Sequence, residues 1–284
     1  MAFVTSKSVS GVDEIVFNDT PNARQRYKLN GVPVVGVTTA IKGGYPTSEA
    51  LVQWKSGKAA EYVWDNYDRD DVKDQLTKNT LVKRAKMAWK TEAEEAAGIG
   101  VAVHEYAELC SKGKKEEGLE VLAKYQNSDQ WNQLVNALYK VDDFMKQNND
   151  EIIATEQIVG STKHQYAGRF DRLVRRGKLV IMSDYKTSKS FYIDQFIQDA
   201  LYSVAVEEWL GVKVDGFEVI RFGKDGGDFE SRLITDPQEI EGLKQQALRC
   251  LETFKFAKTW GADERFAYKK LQDKGSLSKS ETVI

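Results

Sequence analysis

The sequence predicts one α/β domain with a helical insertion near its N-terminus. Three observations predict it. Apolar residues recur at helical spacing from Ser48 to about Lys146, and the period changes after Asp150. Three successive β-prone runs then follow, Ile152 to Val159, Tyr166 to Val174 and Leu179 to Lys186. At 284 residues, with 41% hydrophobic and 11% aromatic content, the chain is also long enough to bury roughly 75% of its unfolded surface. A division into two domains fits the same pattern.

The elements can be justified in order. Up to about Lys42 the chain reads as strands and turns. Glu14–Phe17 and Arg26–Leu29 are β-prone, Asn18-Asp19-Thr20-Pro21-Asn22 turns between them, and Asn30-Gly31 closes a hairpin into Val32-Pro33-Val34-Val35. Thr47 or Ser48 caps a helix whose Leu51, Trp54, Ala59, Tyr62 and Val63 share a broad apolar stripe. Ala88 to Cys110 is a second helical stretch, with Gly98 and Gly100 either breaking it or marking close packing. Trp131, Leu134, Leu138, Val141 and Phe144 keep helical spacing as far as Gln147-Asn148-Asn149-Asp150. After the three central strands come a helix from about Ile193 to Leu210 and strands near Gly216–Phe222 and Phe229–Ile234. Asp236 and Pro237 start a last helix that reaches about Trp260. Residues 1–97 are thus N-terminal strands and helical insertion, 98–260 the core, and 261–284 a polar tail, most polar from Lys269 to Ile284.

Composition excludes several function classes. There are 41 Lys+Arg against 43 Asp+Glu, a net charge of −2 that by itself points away from nucleic acid. Near neutrality and the aromatic content oppose disorder. Two cysteines, Cys110 and Cys250, exclude a disulfide scaffold or a four-cysteine zinc or iron–sulfur site within one chain. No apolar run approaches the roughly 18 residues that span a bilayer. The opening MAFVTSKSVSGVDE has neither a signal-peptide apolar run nor an Arg-rich amphipathic segment, which predicts a reducing, soluble compartment.

The chemistry concentrates in Gly168-Arg169-Phe170-Asp171 and Asp184-Tyr185-Lys186. A hairpin turning at Arg176-Gly177 would pair Arg175 with Lys178, setting Asp171 opposite Met182 and Arg169 opposite Asp184. Side chains alternate along a strand, so Asp171, Asp184 and Lys186 would share a face. The two carboxylates are then diagonal neighbours with Cβ atoms roughly 7–8 Å apart. One hard cation accepting oxygens at about 2.0–2.5 Å bridges that gap. With the Lys186 ammonium alongside, the set suits metal-assisted phosphodiester hydrolysis. A turn one residue longer would separate the carboxylates. The competing reading makes these residues ordinary charges on a solvated sheet face. Leu179-Val180-Ile181 oppose it, because they predict a strand buried on both faces whose terminal charges need partners.

Two further pairs sit at i and i+4 on helices, His104 with Glu108 and Gln198 with Tyr202. Taken alone, the first is a helix-surface contact and the second a helix–sheet seam. Glu156, in the strand before Asp171, either accepts a hydrogen bond from a lysine or simply ends a strand.

In order, these pieces form GxxxHxxxE (Gly100, His104, Glu108), GxxD (Gly168, Asp171), DxK (Asp184, Lys186) and QxxxY (Gln198, Tyr202). The series resembles the PD-(D/E)XK nuclease superfamily and, within it, the RecB-like exonucleases, over about residues 98–205. Tyr27 to Trp54, with Val35-Gly36-Val37-Thr38-Thr39, is similar to the start of phage-type members related to the mitochondrial genome maintenance exonuclease. The resemblance implies a restriction-endonuclease-like core, a central mixed β-sheet flanked by helices. It implies Mg²⁺ dependence, with Mn²⁺ as substitute, and hydrolysis of DNA. By the same resemblance Asp171 and Asp184 ligate the metal with His104 and the backbone carbonyl of Tyr185. Lys186 orients or deprotonates the attacking water, Glu108 serves a second metal or the water, and Gln198 and Tyr202 brace the site or touch the DNA backbone. Some relatives carry an iron–sulfur cluster on four cysteines, which two cysteines exclude here.

Arg169, Arg172, Arg175, Arg176, Lys178, Lys186 and Lys189 gather around the hairpin, and local charge is what attracts a polyanion. The rival reading is edge-strand charges that deter sheet pairing. Trp54, Trp64, Trp89 and Tyr106 offer faces for stacking on bases, with core packing as the competing role. Gly223-Lys224-Asp225-Gly226-Gly227 reads as a hairpin turn, since no phosphate-cradling helix follows it. The expected function is a metal-dependent DNA exonuclease acting on single strands or ends. A structure-selective endonuclease and a DNA-binding module without catalysis are the alternatives. The expected partners are DNA and replication or recombination proteins, not a membrane, and the expected location is a bacterial or phage-infected cytoplasm. Cleavage polarity and oligomeric state are not encoded in these motifs.

Overall fold

The computed structural model describes residues 3–20, 23, 25–67, 75–123, 125–126, 130–224 and 226–261. In chain order the strands are β1 Phe3–Lys7, β2 Glu14–Asn18, β3 Tyr27–Leu29, β4 Val32–Gly36, β5 Glu151–Ser161, β6 Tyr166–Arg176, β7 Leu179–Lys186, β8 Gly216–Arg221 and β9 Glu230–Ile234. The helices are α1 Val37–Gly44, α2 Glu49–Asn66, α3 Gln75–Ala85, α4 Ala88–Ser111, α5 Lys115–Ala123, α6 Trp131–Gln147, α7 Ile193–Leu210 and α8 Pro237–Gly261. The expected turn at Pro21-Asn22 and the polar stretch Lys269–Ile284 lie outside the described residues. No described helix is long and apolar enough to cross a membrane.

The described strands form one mixed sheet in the order β1-β2-β3-β4-β6-β7-β8-β9, with β5 pairing β6 on its other edge. The pairs β4–β6 and β7–β8 are parallel and the rest antiparallel. This is the mixed α/β architecture that the sequence predicts, with helices on both faces. One core joins the sheet to α1, α7 and α8 and includes Val180, Met182, Tyr202 and Trp209. A second joins α4 and α6 to Tyr185, Ile220 and Phe222. Successive residues of β7 therefore feed opposite cores, as strand alternation requires.

Local chemistry sets several boundaries. Ser48 caps α2 by accepting from the Leu51 N–H at 3.2 Å. Asp236 caps α8 by accepting from the Gln238 and Glu239 N–H groups. Gly211, at φ +68, ends α7 in the left-handed conformation that glycine tolerates.

The structure departs from the sequence reading in three places and decides between two alternatives in a fourth. The run after Gly36 is a helix rather than a strand. Val37, Ala40 and Ile41 fall on one helical side and are buried, so tertiary packing overrides β-branched propensity. The apolar stripe of α2 covers no core, because α2 has no buried residue. Of the two readings of Gly98 and Gly100 the break is the one that falls, because α4 runs unbroken through both. Finally, the β6–β7 turn lies at Gly177-Lys178, with Arg176 paired to Leu179 and Gly177 at φ +63.

Candidate functional site

The sheet itself prepares the site. On one edge β6 pairs with β4 at Tyr166 and Ala167 and with β7 only from Arg172 onward. Gly168 to Asp171 lie between, in the fork where β4 and β7 part. A Cβ at Gly168 would sit 2.5 Å from the Tyr202 ring and 2.8 Å from Val37, so glycine lets the fork close over these two side chains. Asp171 replaces the missing ladder bond, accepting from the Tyr185 N–H on Oδ2 at 2.8 Å.

The turn lies one residue later than expected, and the register moves by two. Side chains alternate with period two, so a two-residue slip keeps every side chain on its face. Leu173 pairs with Met182 and Arg172 with Ser183, and one further step sets Asp171 opposite Asp184 rather than diagonal to it. Asp171, Asp184 and Lys186 thus remain on one face.

On the other edge Glu156 stands opposite Asp171, between the pairs Thr155–Arg172 and Gln157–Phe170. Its φ of +50 is unusual for a glutamate inside a strand. Two carboxylates directly opposite each other repel unless a positive charge intervenes. His104, from α4, brings Nδ1 to 3.2 Å from Asp171 Oδ2. Ligand atoms of His104, Glu156 and Asp171 all lie within 4.8 Å of one another. Ligands around one divalent cation at about 2.0–2.6 Å span such separations. Two carboxylate oxygens and an imidazole nitrogen form a donor set that fits Mg²⁺ or Mn²⁺ and other divalent ions.

The electrostatics agree with that fit. Burial, and then the Asp171 charge, push the Glu156 carboxyl up to about 7, although Arg169 opposes them. Burial, and then Asp171, push Asp184 up to about 6, against the pull of Lys186. Burial acts the same way on Asp171, but His104 and Lys186 outweigh it and hold this carboxyl below its usual range. His104 is raised because the Asp171 carboxylate outweighs burial. One group of carboxyls thus divides into a strong acid and two weak ones (a pattern typical of sites built around a charge).

Asp184 is 3% exposed and is held by the Lys186 ammonium rather than by the His104 group. Tyr185 meets that group through its N–H, while its ring packs edge-on to His104 with centroids 6.0 Å apart. Glu108 is engaged by Lys112 but is near enough for its charge to raise Glu156. Gln198 is half-buried. Tyr202 is buried, packs on Gly168 and pairs with the Thr38 side chain. Arg169 pairs with Glu156 at 3.0 Å and lies over the Phe17 ring.

Three arginines of the expected basic surface are paired with carboxylates. Arg172 is 2% exposed and pairs with Asp150 and Asn148, above the Phe144 ring. Arg175 pairs with Glu151, and Arg176 with Asp150 and Glu218. Partner carboxylates 22 to 42 residues away in sequence neutralise these arginines. Among the aromatic candidates, Tyr106 is buried and donates to Asp142, whereas Trp64 is 83% exposed.

Sequence reasoning missed Asp199. Its side chain is 0% exposed, neither carboxyl oxygen has a hydrogen-bond partner, and burial followed by the Asp184 charge raises it well above its usual range. The available signal was an acidic residue inside the apolar helical run Phe196-Ile197-Gln198-Asp199-Ala200-Leu201.

Comparison with known proteins adds little. No protein-family model matches the chain, and no curated protein does. Among solved structures, a candidate exonuclease from Eubacterium rectale is 15% identical over 55% of this chain and 68% of its own, with a TM-score of 0.34. The protein SSO0001 is 13% identical over 54% and 73%, with a TM-score of 0.28.

Proposed function

We propose that the chain is a metal-dependent deoxyribonuclease of the PD-(D/E)XK type, an exonuclease acting on single-stranded DNA or DNA ends. The observation that carries this reading is the convergence of His104, Glu156 and Asp171 on one small volume beside Asp184 and Lys186. The ordered motifs that resemble RecB-like exonucleases support it independently.

In this reading His104, Glu156 and Asp171 hold Mg²⁺ or Mn²⁺, with Asp184 as an additional ligand. The bound cation would supply Lewis-acid polarisation of the phosphate and a more acidic water. Lys186 would orient the attacking water through Nζ and place positive charge beside the pentavalent phosphorus. Asp184 keeps that ammonium at the site, and Arg169 keeps Glu156 aimed inward. The buried Tyr202 and the α4 helix hold the fork in place around these groups.

The test is degradation of 5′- and 3′-labelled single- and double-stranded DNA with and without Mg²⁺. Mg²⁺-dependent loss of terminal label from linear substrates supports the reading. Internal fragments from closed circular DNA would make the chain an endonuclease on the same scaffold. Absence of hydrolysis with either Mg²⁺ or Mn²⁺ would overturn the catalytic assignment.

A further inference from the structure

We propose that Asp199 is a positioning residue: it takes the Lys186 ammonium from Asp184 when a cation is bound, freeing Asp184 to serve the cation. This inference rests on the cation-site reading above.

Asp199 is fully buried with two unpartnered oxygens. It lies on the face of α7 that also carries the buried Gln195 and Ser203, and α7 packs on β7 and β8. Its strongest charged neighbours are Asp184 and Lys186, followed by Asp171 and Glu218. Burying a polar group without a partner costs stability. Carboxylates with ordinary structural roles here avoid that cost. Glu208, near the end of the same helix, accepts from Ser161, from Thr162 and from the Lys163 N–H. Asp150 and Glu218 have Arg176. Asp199 alone among these four lacks a partner.

The missing partner is close by. Lys186 already holds Asp184, and its side chain is 21% exposed on a flexible four-carbon stem. One ammonium cannot neutralise Asp184 while that carboxylate also turns fully to a cation. Moving Nζ toward Asp199 satisfies the orphaned carboxyl, keeps positive charge at the site and releases Asp184. Asp199 lies outside the His104–Glu156–Asp171 group, so it acts through Lys186 and not as a ligand.

The experiment titrates the full-length chain with Mn²⁺ calorimetrically, in the wild type, Asp199→Asn, Lys186→Met and the double variant. Outer-shell partners of metal sites typically contribute about 10–100-fold in affinity, so Asp199→Asn is expected to weaken Mn²⁺ binding about tenfold. With Lys186 replaced, the same substitution should change affinity less than about twofold, because the cycle isolates their coupling. Thermal unfolding of metal-free Asp199→Asn should be unchanged or raised, and Asp199→Ser provides the same comparison if Asn does not fold. Unchanged Mn²⁺ affinity in Asp199→Asn, or equal loss in both backgrounds, would overturn the inference while leaving the cation site standing. A wild type that binds no Mn²⁺ would overturn both.

Discussion

The two ends of the β6–β7 hairpin each carry a buried cluster of charges, and they are built in opposite ways. At the turn end Asp150 and Glu218 face Arg172 and Arg176, two carboxylates against two guanidiniums. Burial would raise Asp150, but the hydrogen bonds from Arg176 and Asn148 outweigh it and hold this carboxyl below its usual range. At the fork end Glu156, Asp171, Asp184 and Asp199 face, among the described residues, Lys186, Arg169 and His104. Three of those four carboxyls are pushed up. A balanced cluster stabilises a fold. A cluster with excess acid, inside a sheet that has locally come apart, has a donor set that fits a divalent cation.

Breaking each end should therefore have different consequences. The largest effect is expected at the fork end, where Lys186→Ala should lower Mg²⁺-dependent DNA hydrolysis by about 10³-fold, the scale of losing one preorganised electrostatic group. Near-native circular dichroism should accompany that loss. Retained activity would remove Lys186 from the chemistry. At the turn end, Arg172→Met leaves the buried Asp150 with less compensation and should cost about 3–5 kcal/mol in urea unfolding. Activity per folded molecule should stay near wild type, and a selective loss of activity would mean that the two ends are not separable.

A smaller effect sharpens the comparison through pH. Glu156 and Asp184 have folded-state values raised above their unfolded ones, so the folded chain holds protons that the unfolded chain releases. Stability of the metal-free chain should then fall as pH rises from about 4.5 to about 7, and the raised His104 acts in the same direction. Glu156→Gln should flatten this slope by about 1–2 kcal/mol between those limits, measured by denaturant midpoints across pH. Saturating Mg²⁺ should offset the decline in the wild type, by about 2.7 kcal/mol at a hundredfold excess over Kd. A rise in metal-free stability across this window would contradict the electrostatic picture.

Much of this was legible in the sequence, for physical reasons that can be traced. Strand alternation and apolar length marked β6 to β8 and α7 because those elements are largely buried, and the faces of Asp171, Asp184 and Lys186 survived a register shift because it was even. Pairing was not legible. Arg172 reads as a basic surface residue until Asp150, 22 residues earlier, folds against it. Asp199 is hidden because helical periodicity reports apolar residues and says nothing about an acid among them. The stripe on α2 has the right spacing, yet spacing cannot show whether anything packs there. Glu156 read either as an acceptor for a lysine or as a strand end, because its left-handed backbone and its position opposite Asp171 emerge only from the folded register.

The central claim is that the fork end is a cation site and the turn end is not. Its most direct test is calorimetric Mn²⁺ titration of wild type, Asp171→Asn and Asp150→Asn under conditions where all three are folded. The account predicts saturable binding in the wild type, loss of it in Asp171→Asn and wild-type affinity in Asp150→Asn. Equal binding by wild type and Asp171→Asn, or none by the wild type, would contradict it.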